Sequence, residues 1–249
     1  MAALFSPYST RISRTGITTS VYGGNDTLPF RVEDRTDHPL SLYAATKKAD
    51  ELLSESYANT YRLPLTGLRF FTVYGPWGRP DMAMWIFTRA LFAGQPVPLF
   101  NGGEMRRDFT YVDDIVRGVI ACLDGPPADD GSEKAGGSIS PHALYNIGNS
   151  RSEDLMRVVQ LLEEAPGKTA ILDPKPMQIG DVKDTFADIS AIQRDLGFQQ
   201  VSELLPVQGI DIVGQLPSEL QKVTVFSAGI ASVSKEPDAG KALIKFLAS

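Results

Sequence analysis

The 249-residue chain has 24 Lys and Arg against 30 Asp and Glu, a formal net charge of −6, with 43% hydrophobic and 22% charged residues; this excludes a chain too polar to bury a core. No basic block is present, which argues against nucleic acid as a partner, because affinity for a phosphate backbone rests on clustered Lys and Arg. One cysteine, Cys122, and two histidines, His38 and His142, form neither an intrachain disulfide nor a zinc site. No run reaches the ~20 apolar residues of a membrane helix, and Met1–Phe5 lacks the basic-then-apolar order of a signal peptide, so the expectation is a cytoplasmic, metal-free protein.

The first residues give only a weak strand pattern, at Ile17–Tyr22. From Leu42 to about Tyr61 the apolar spacing predicts a helix with Ser41 as its N-cap. Leu65–Val73 reads as a buried strand, followed by the turn-forming YGPWGRPD. A helix is expected at Met82–Ala93, then strands at Val97–Phe100 and Arg107–Tyr111. The next helix, Val112–Leu123, has Asp113 and Asp114 in its first turn, where acids suit the helix dipole; adjacent helical residues point apart, so they are a helix start and not a catalytic dyad. GPPADDGSEKAGGS (125–138) is a loop by composition. Strand Leu144–Ile147, helix Glu153–Glu164, strand Thr169–Leu172 and helix Ser190–Leu196 follow, and the alternation indicates an α/β fold. Beyond about Val207 the pattern changes: SELQ (218–221) resembles a capping box, Val223–Phe226 a strand, and Ala239–Leu247 an amphipathic helix.

Tyr43 and Lys47 are four apart on the predicted helix and share a face. A tyrosine phenol titrates near ~10, and a nearby cation favours the phenolate, so such a pair suits proton abstraction from an alcohol at neutral pH. On spacing alone, an ordinary tyrosine on an amphipathic helix is the simpler reading.

The surrounding residues add more. SVYGGNDTLPF (20–30), DHPLSLYAATKKADE (37–51), LRFFTVYGPWGRPDMA (68–83) and LFNGGEMRRDFTYVDDIVRGV (99–119), in that order, resemble the extended short-chain dehydrogenase/reductase family and, within it, the NAD-dependent nucleotide-sugar epimerases, above all UDP-glucuronate 4-epimerases. GDVKDTFAD (180–188) resembles the family's late substrate-side motif. The resemblance implies a partial Rossmann-like fold with a substrate-binding cap over 18–207, a short N-terminal segment (1–17) and an appended βα tail (208–249). It implies Thr18, Tyr43 and Lys47 as the catalytic triad. Hydride would pass from sugar C4 to NAD as Tyr43 takes the O4 proton, and would return to the other face of the rotated 4-keto sugar.

By the same resemblance Tyr74, Gly75 and Pro76, with Tyr43 and Lys47, contact NAD. Thr72 and Arg79, with Thr19 and Ser20, face the sugar; a guanidinium grips a carboxylate bidentately, which makes Arg79 the candidate clamp for a uronate, the alternative being a solvated loop charge. Arg107 matches the family's diphosphate arginine, Leu99 and Phe100 the uracil pocket, and Gln178 and Asp181 the diphosphate and ribose contacts, although Ile179 replaces a usual proline. For Phe100 taken alone, a core position is the better reading, and His142 reads as structural. The family's dimers, formed through the helix bearing the catalytic tyrosine, imply a homodimer.

Two features depart from the family. A complete member opens with a strand, a GxxGxxG turn and a helix that hold the dinucleotide, and the sequence has no such turn: Gly75 and Gly78 lack a third glycine. VTVFSAGIASVSKEPDAGKALIKFLAS (223–249) instead resembles the end of a periplasmic solute-binding protein of the molybdate-transporter kind. The sequence therefore predicts a UDP-sugar 4-epimerase with impaired or absent activity, with a non-catalytic UDP-sugar-binding remnant or a chimeric product as the alternative. A 4,6-dehydratase is disfavoured, because Thr18-Thr19-Ser20 lacks the acids that reaction uses.

Overall fold

The computed structural model describes residues 13–200 apart from residue 179. Ile179 and the expected elements beyond Val207 lie outside the described residues.

A parallel three-stranded sheet runs β1 (Ser13–Thr18), β2 (Leu65–Phe70) and β7 (His142–Ile147) in that spatial order, with Thr18 opposite Phe70 and Phe70 opposite Ile147. Against it lies α1 (Leu42–Tyr61). Its N-terminus is as expected: the Ser41 side chain accepts the Ala44 N–H at 3.1 Å, which satisfies one of the orphan donors of the first turn. The helix ends at Arg62 in the left-handed region, φ 51°, two residues before Pro64. Its buried side is mostly small, Ala44, Ser54 and Ala58, so the helix axis lies close to the sheet.

The expected strand at Ile17–Tyr22 is displaced. β1 stops at Thr18, and Thr19–Tyr22 winds into a 3₁₀ turn. The turn sends the Tyr22 ring inward, stacked on Phe30 with centroids 4.5 Å apart, and its hydroxyl donates to Asn146 Oδ1 at 2.6 Å. Gly23 closes the turn at φ 54°, where a Cβ would lie 2.2 Å from the His38 carbonyl oxygen, so only glycine fits.

Two expected strands are each divided, for one reason: the chain changes pairing partner. Leu65–Val73 becomes β2, paired with β7, and β3 (Thr72–Tyr74), paired with β6 (Phe109–Tyr111). At the hinge, Phe71 N–H donates to Ile147 O and Thr72 N–H to Asp108 O. Arg107–Tyr111 likewise splits into β5 (Arg106–Arg107), antiparallel to β8 (Glu153–Asp154), and β6. The break falls at Asp108, whose buried carboxylate accepts the N–H groups of Asn149 (2.6 Å) and Ala187 (3.0 Å) and the Thr110 hydroxyl (3.2 Å).

The remaining elements form close to where the spacing places them. They are α2 (Ala83–Ala93), β4 (Pro96–Phe100), α3 (Val112–Asp124), α4 (Leu155–Glu164), β9 (Ile171–Lys175) and α5 (Ser190–Leu196). Glu153 and Asp154 serve as β8 rather than as the first turn of α4; the Asp154 side chain caps that helix at Met156 N. Two apolar cores result. One, with Val21, Tyr22, Phe30, Leu68, Ile147 and Ile192, lies between the sheet, α3 and α5. The other, with Phe87, Val97, Leu99, Phe109, Leu155 and Val159, unites α2, α4, β4 and β6, with β9 paired in parallel to β4. No helix among the described residues is long and apolar enough to cross a membrane.

Candidate active site

A cavity of about 590 Å³ opens beside the C-terminal ends of β1 and β2, the edge where parallel α/β sheets hold ligands. β1 delivers Thr18 to its wall, and the 3₁₀ turn adds Thr19 and Ser20; Thr18 Oγ1 and Ser20 Oγ share a hydrogen bond at 2.5 Å. Tyr43, half-exposed in the first turn of α1, faces the same space. One turn on, the Lys47 ammonium lies 5.8 Å from the Tyr43 ring centroid and donates to Asp50 at 3.1 Å; Lys47 flanks Tyr43 without itself lining the cavity.

β3 and the loop after it supply a further part of the wall, Thr72 and Tyr74 from the strand and Gly75, Pro76 and Arg79 from the loop. Gly75 holds φ 133°, and a Cβ there would lie 2.7 Å from Val112 Cγ1, so the bare backbone lets the loop press on the start of α3. Burial pushes the Tyr74 phenol up, and Asp114 adds to this. Arg79 is clasped by both oxygens of Asp81, Nε to Oδ1 at 3.0 Å and Nη2 to Oδ2. This raises the guanidinium's pKa, with a further contribution from Tyr43.

From the third side come Arg107 and Asp181. Arg107 Nη1 donates to the carbonyls of Arg106 (3.0 Å) and Lys183 (2.7 Å), and Nη2 to Asp181 Oδ1 (3.0 Å). Burial lowers its pKa against the pull of Asp181 and Asp184. The remaining expected site residues lie elsewhere. Leu99 is buried in the second core with Phe100 packed against it, and Gln178 is exposed, its carbonyl accepting the Asp181 N–H. His142 is buried in β7 with Nδ1 2.7 Å from Glu55, away from the cavity.

Three features of this region escape sequence reasoning. Trp77 lines the cavity, is fully exposed and stands in the left-handed region at φ 63°, unusual for a bulky side chain. Asp81 engages Arg79. Beneath the site, Arg69, 1% exposed, donates from Nε and Nη2 to Glu51 (2.7 and 3.1 Å) and from Nη1 to Tyr22 Oη (2.9 Å) and Val32 O (3.1 Å). The signal for this last feature was present, an arginine inside the apolar run LTGLRFF and an acid one turn after Lys47.

For NAD, the described residues fit the nicotinamide side: Tyr43 and Tyr74–Pro76 all line the cavity, and the bare Gly75 backbone lets the chain come close to Val112 at the start of α3. None of the described glycines stands in a G-x-x-G-x-x-G turn between a strand and a helix, the arrangement that holds a dinucleotide pyrophosphate.

Comparison with known proteins agrees with this architecture. Residues 15–148 match the NAD dependent epimerase/dehydratase family, and residues 148–249 match bacterial extracellular solute-binding proteins, a span that includes the stretch 223–249 with that resemblance but begins well before it. A probable UDP-glucuronate 4-epimerase of Rhizobium meliloti is 45% identical over 188 residues, covering 73% of this chain and 55% of the relative. UDP-glucuronate 4-epimerase 3 of Arabidopsis thaliana is 45% identical over 191 residues, 74% of this chain and 44% of the relative. Both alignments are longer than the stretch before residue 148 and therefore run past it. The crystal structure of UDP-glucuronic acid 4-epimerase from Bacillus cereus, in complex with UDP-glucuronic acid and NAD, is similar at a TM-score of 0.62 and 32% identity, covering 76% of this chain and 55% of that one. The chain spans about half the length of the curated relatives it matches. By its fold, its motifs and the family match over 15–148, the chain belongs to the NAD-dependent epimerase/dehydratase family.

Proposed function

We propose that the cavity takes a UDP-hexuronate and that the protein to which this chain belongs interconverts UDP-glucuronate and UDP-galacturonate at C4, in the cytoplasm. The carrying observation is convergence: a phenol (Tyr43), a pair of bonded hydroxyls (Thr18 and Ser20) and two arginines (Arg79 and Arg107) line one cavity. In this reading Tyr43 takes the proton of the sugar O4, held there by Thr18 and Ser20, and Lys47 supplies positive charge beside the phenol. Arg79, with Thr72 and Thr19, grips the C6 carboxylate, and Arg107 with Asp181 addresses the diphosphate and ribose; Phe100 and Gln178 are assigned to the uridine side, and Leu99 is left to the second core. Tyr43, Lys47 and Tyr74–Pro76 would hold the nicotinamide end of NAD, which when bound supplies the hydride acceptor. Support comes from the relatives named UDP-glucuronate 4-epimerase and from the ligands of the Bacillus cereus structure.

The same reading assigns 18–207 to the epimerase/dehydratase region, 1–17 to a leading segment and 208–249 to an appended piece. It also assigns a homodimer through α1, supported by an exposed stripe at Leu53, Tyr57 and Tyr61, one turn apart. The direct test is conversion of UDP-glucuronate in the presence of NAD by the full chain and by Tyr43→Phe. Turnover that is lost in the variant with the fold intact supports the reading; equal turnover overturns the role of Tyr43. A second reading is a UDP-sugar-binding protein that holds no NAD, which needs only the Arg107–Asp181 side of the cavity. NAD released on acid denaturation, near one per chain, overturns it; UDP binding without NAD uptake supports it.

A further inference from the structure

Both arginines in the cavity wall hold a carboxylate of this chain, but on different terms. The Arg107 and Asp181 side chains are 14% and 33% exposed, and two backbone carbonyls fix the Arg107 guanidinium whatever Asp181 does. The Arg79 and Asp81 side chains are 70% and 62% exposed, and among the described residues the side-chain hydrogen bonds of Arg79 go to Asp81 alone. Parting this second pair costs little, because water reaches both partners and an exposed ion pair is weak. The two-point contact of Asp81 with Nε and Nη2 is also the geometry in which a guanidinium binds any carboxylate. A ligand's carboxylate and the Asp81 carboxylate therefore exclude each other from that edge of Arg79.

We propose that Asp81 is a specificity-determining residue of this cavity: it occupies the Arg79 fork while the cavity is empty and gives it up only to a ligand that brings its own carboxylate. The inference rests on the reading of the cavity as a UDP-sugar site. A neutral sugar leaves the Arg79–Asp81 pair intact and meets a neutralised fork. A uronate displaces Asp81 and gains the guanidinium, less the strength of the pair it breaks. Asp81 thus lowers affinity for the carboxylate-bearing ligand and leaves the neutral one unaffected.

The test is calorimetric titration of the full chain with UDP, UDP-glucose and UDP-glucuronate, for the wild type, Asp81→Asn, Arg79→Gln and the double variant. UDP addresses Arg107 and reports on the underlying reading. The expected result is that Asp81→Asn tightens UDP-glucuronate about two- to fivefold, the strength of an exposed ion pair, leaves UDP and UDP-glucose unchanged, and has no effect in the Arg79→Gln background. UDP binding with UDP-glucuronate unchanged or weakened in Asp81→Asn overturns the inference alone, the weakened case meaning that Asp81 orients Arg79 instead of competing for it. Equal tightening of UDP-glucose also overturns it. A wild-type chain that binds none of the three ligands overturns the UDP-sugar reading, and the inference falls with it.

Discussion

Arg69 with Glu51 and Arg79 with Asp81 are the same two-point contact in two settings. The first lies in the core under α1, its side chains 1% and 2% exposed. The second stands in the loop over the cavity, open to water on both sides. Burial alone would lower the Arg69 pKa, yet Glu51 and Tyr22 hold it above the usual value; burial would raise Glu51, yet Arg69 and Lys48 hold it low. Each charge in the core offsets part of the other's desolvation. Through Tyr22 and Asn146 the pair also ties α1 and β2 to the turn bearing Thr19 and Ser20 and to β7. The exposed pair ties only residues of one loop. The buried pair therefore sets geometry, while the exposed pair is free to exchange partners.

The sharpest way to break this comparison is to delete one member of each pair. Arg69→Met leaves the Glu51 carboxylate buried with only Lys48 as counter-charge, and removal of one partner of a buried pair costs about 3–5 kcal/mol. Urea denaturation is expected to show a loss of that size, much of it recovered in Arg69→Met/Glu51→Leu, where the one charge left, Lys48, is 26% exposed and reaches water. A loss below about 1 kcal/mol would mean that water reaches Glu51 and that the pair is no anchor.

Asp108 sharpens the comparison from the other side, as a buried carboxylate with hydrogen bonds but no ion-pair partner among the described residues. Burial pushes it up to about 6, against the N–H groups of Asn149 and Ala187 and the Thr110 hydroxyl, which favour the charged form. With the folded pKa above the unfolded one, the folded state binds the proton more tightly. The contribution is present in full below about pH 4 and is lost as pH rises through about 6, on the order of 3 kcal/mol in all. Unfolding free energy of the wild type relative to Asp108→Asn should therefore fall between pH 4 and pH 7; a flat difference would place the folded pKa near the ordinary carboxylate value.

How much of this was legible in the sequence follows from how local each cause is. α1 was readable to its ends because Ser41, the helical spacing and the chain break at Pro64 act within a few residues. The division of two strands at Phe71 and Asp108 was not, because it is made by partners far away in sequence, Ile147, Asn149 and Ala187. The motifs bring most of the expected site residues to one cavity. Leu99 is instead in the second core, and the alternation of buried and less buried positions along β4 gives the reason: in a strand, every second side chain faces the same side. Trp77 and Asp81 were passed over because their neighbours, the glycines and Arg79, held the recognisable pattern.

The smallest expected effect is the most discriminating. Asp81→Asn removes a charge from a pair as short as the one in the core, yet exposed pairs contribute little to folding and most surface substitutions fall within about 0.5 kcal/mol. Its unfolding curve is expected to overlay the wild type at moderate salt, while its affinity for UDP-glucuronate rises. Stability unchanged with affinity raised separates an exchangeable clamp from a structural tie. A stability loss of about 2 kcal/mol or more would show instead that the loop from Tyr74 to Met82 depends on the Arg79–Asp81 contact for its shape, and the distinction between the two arginine pairs would vanish.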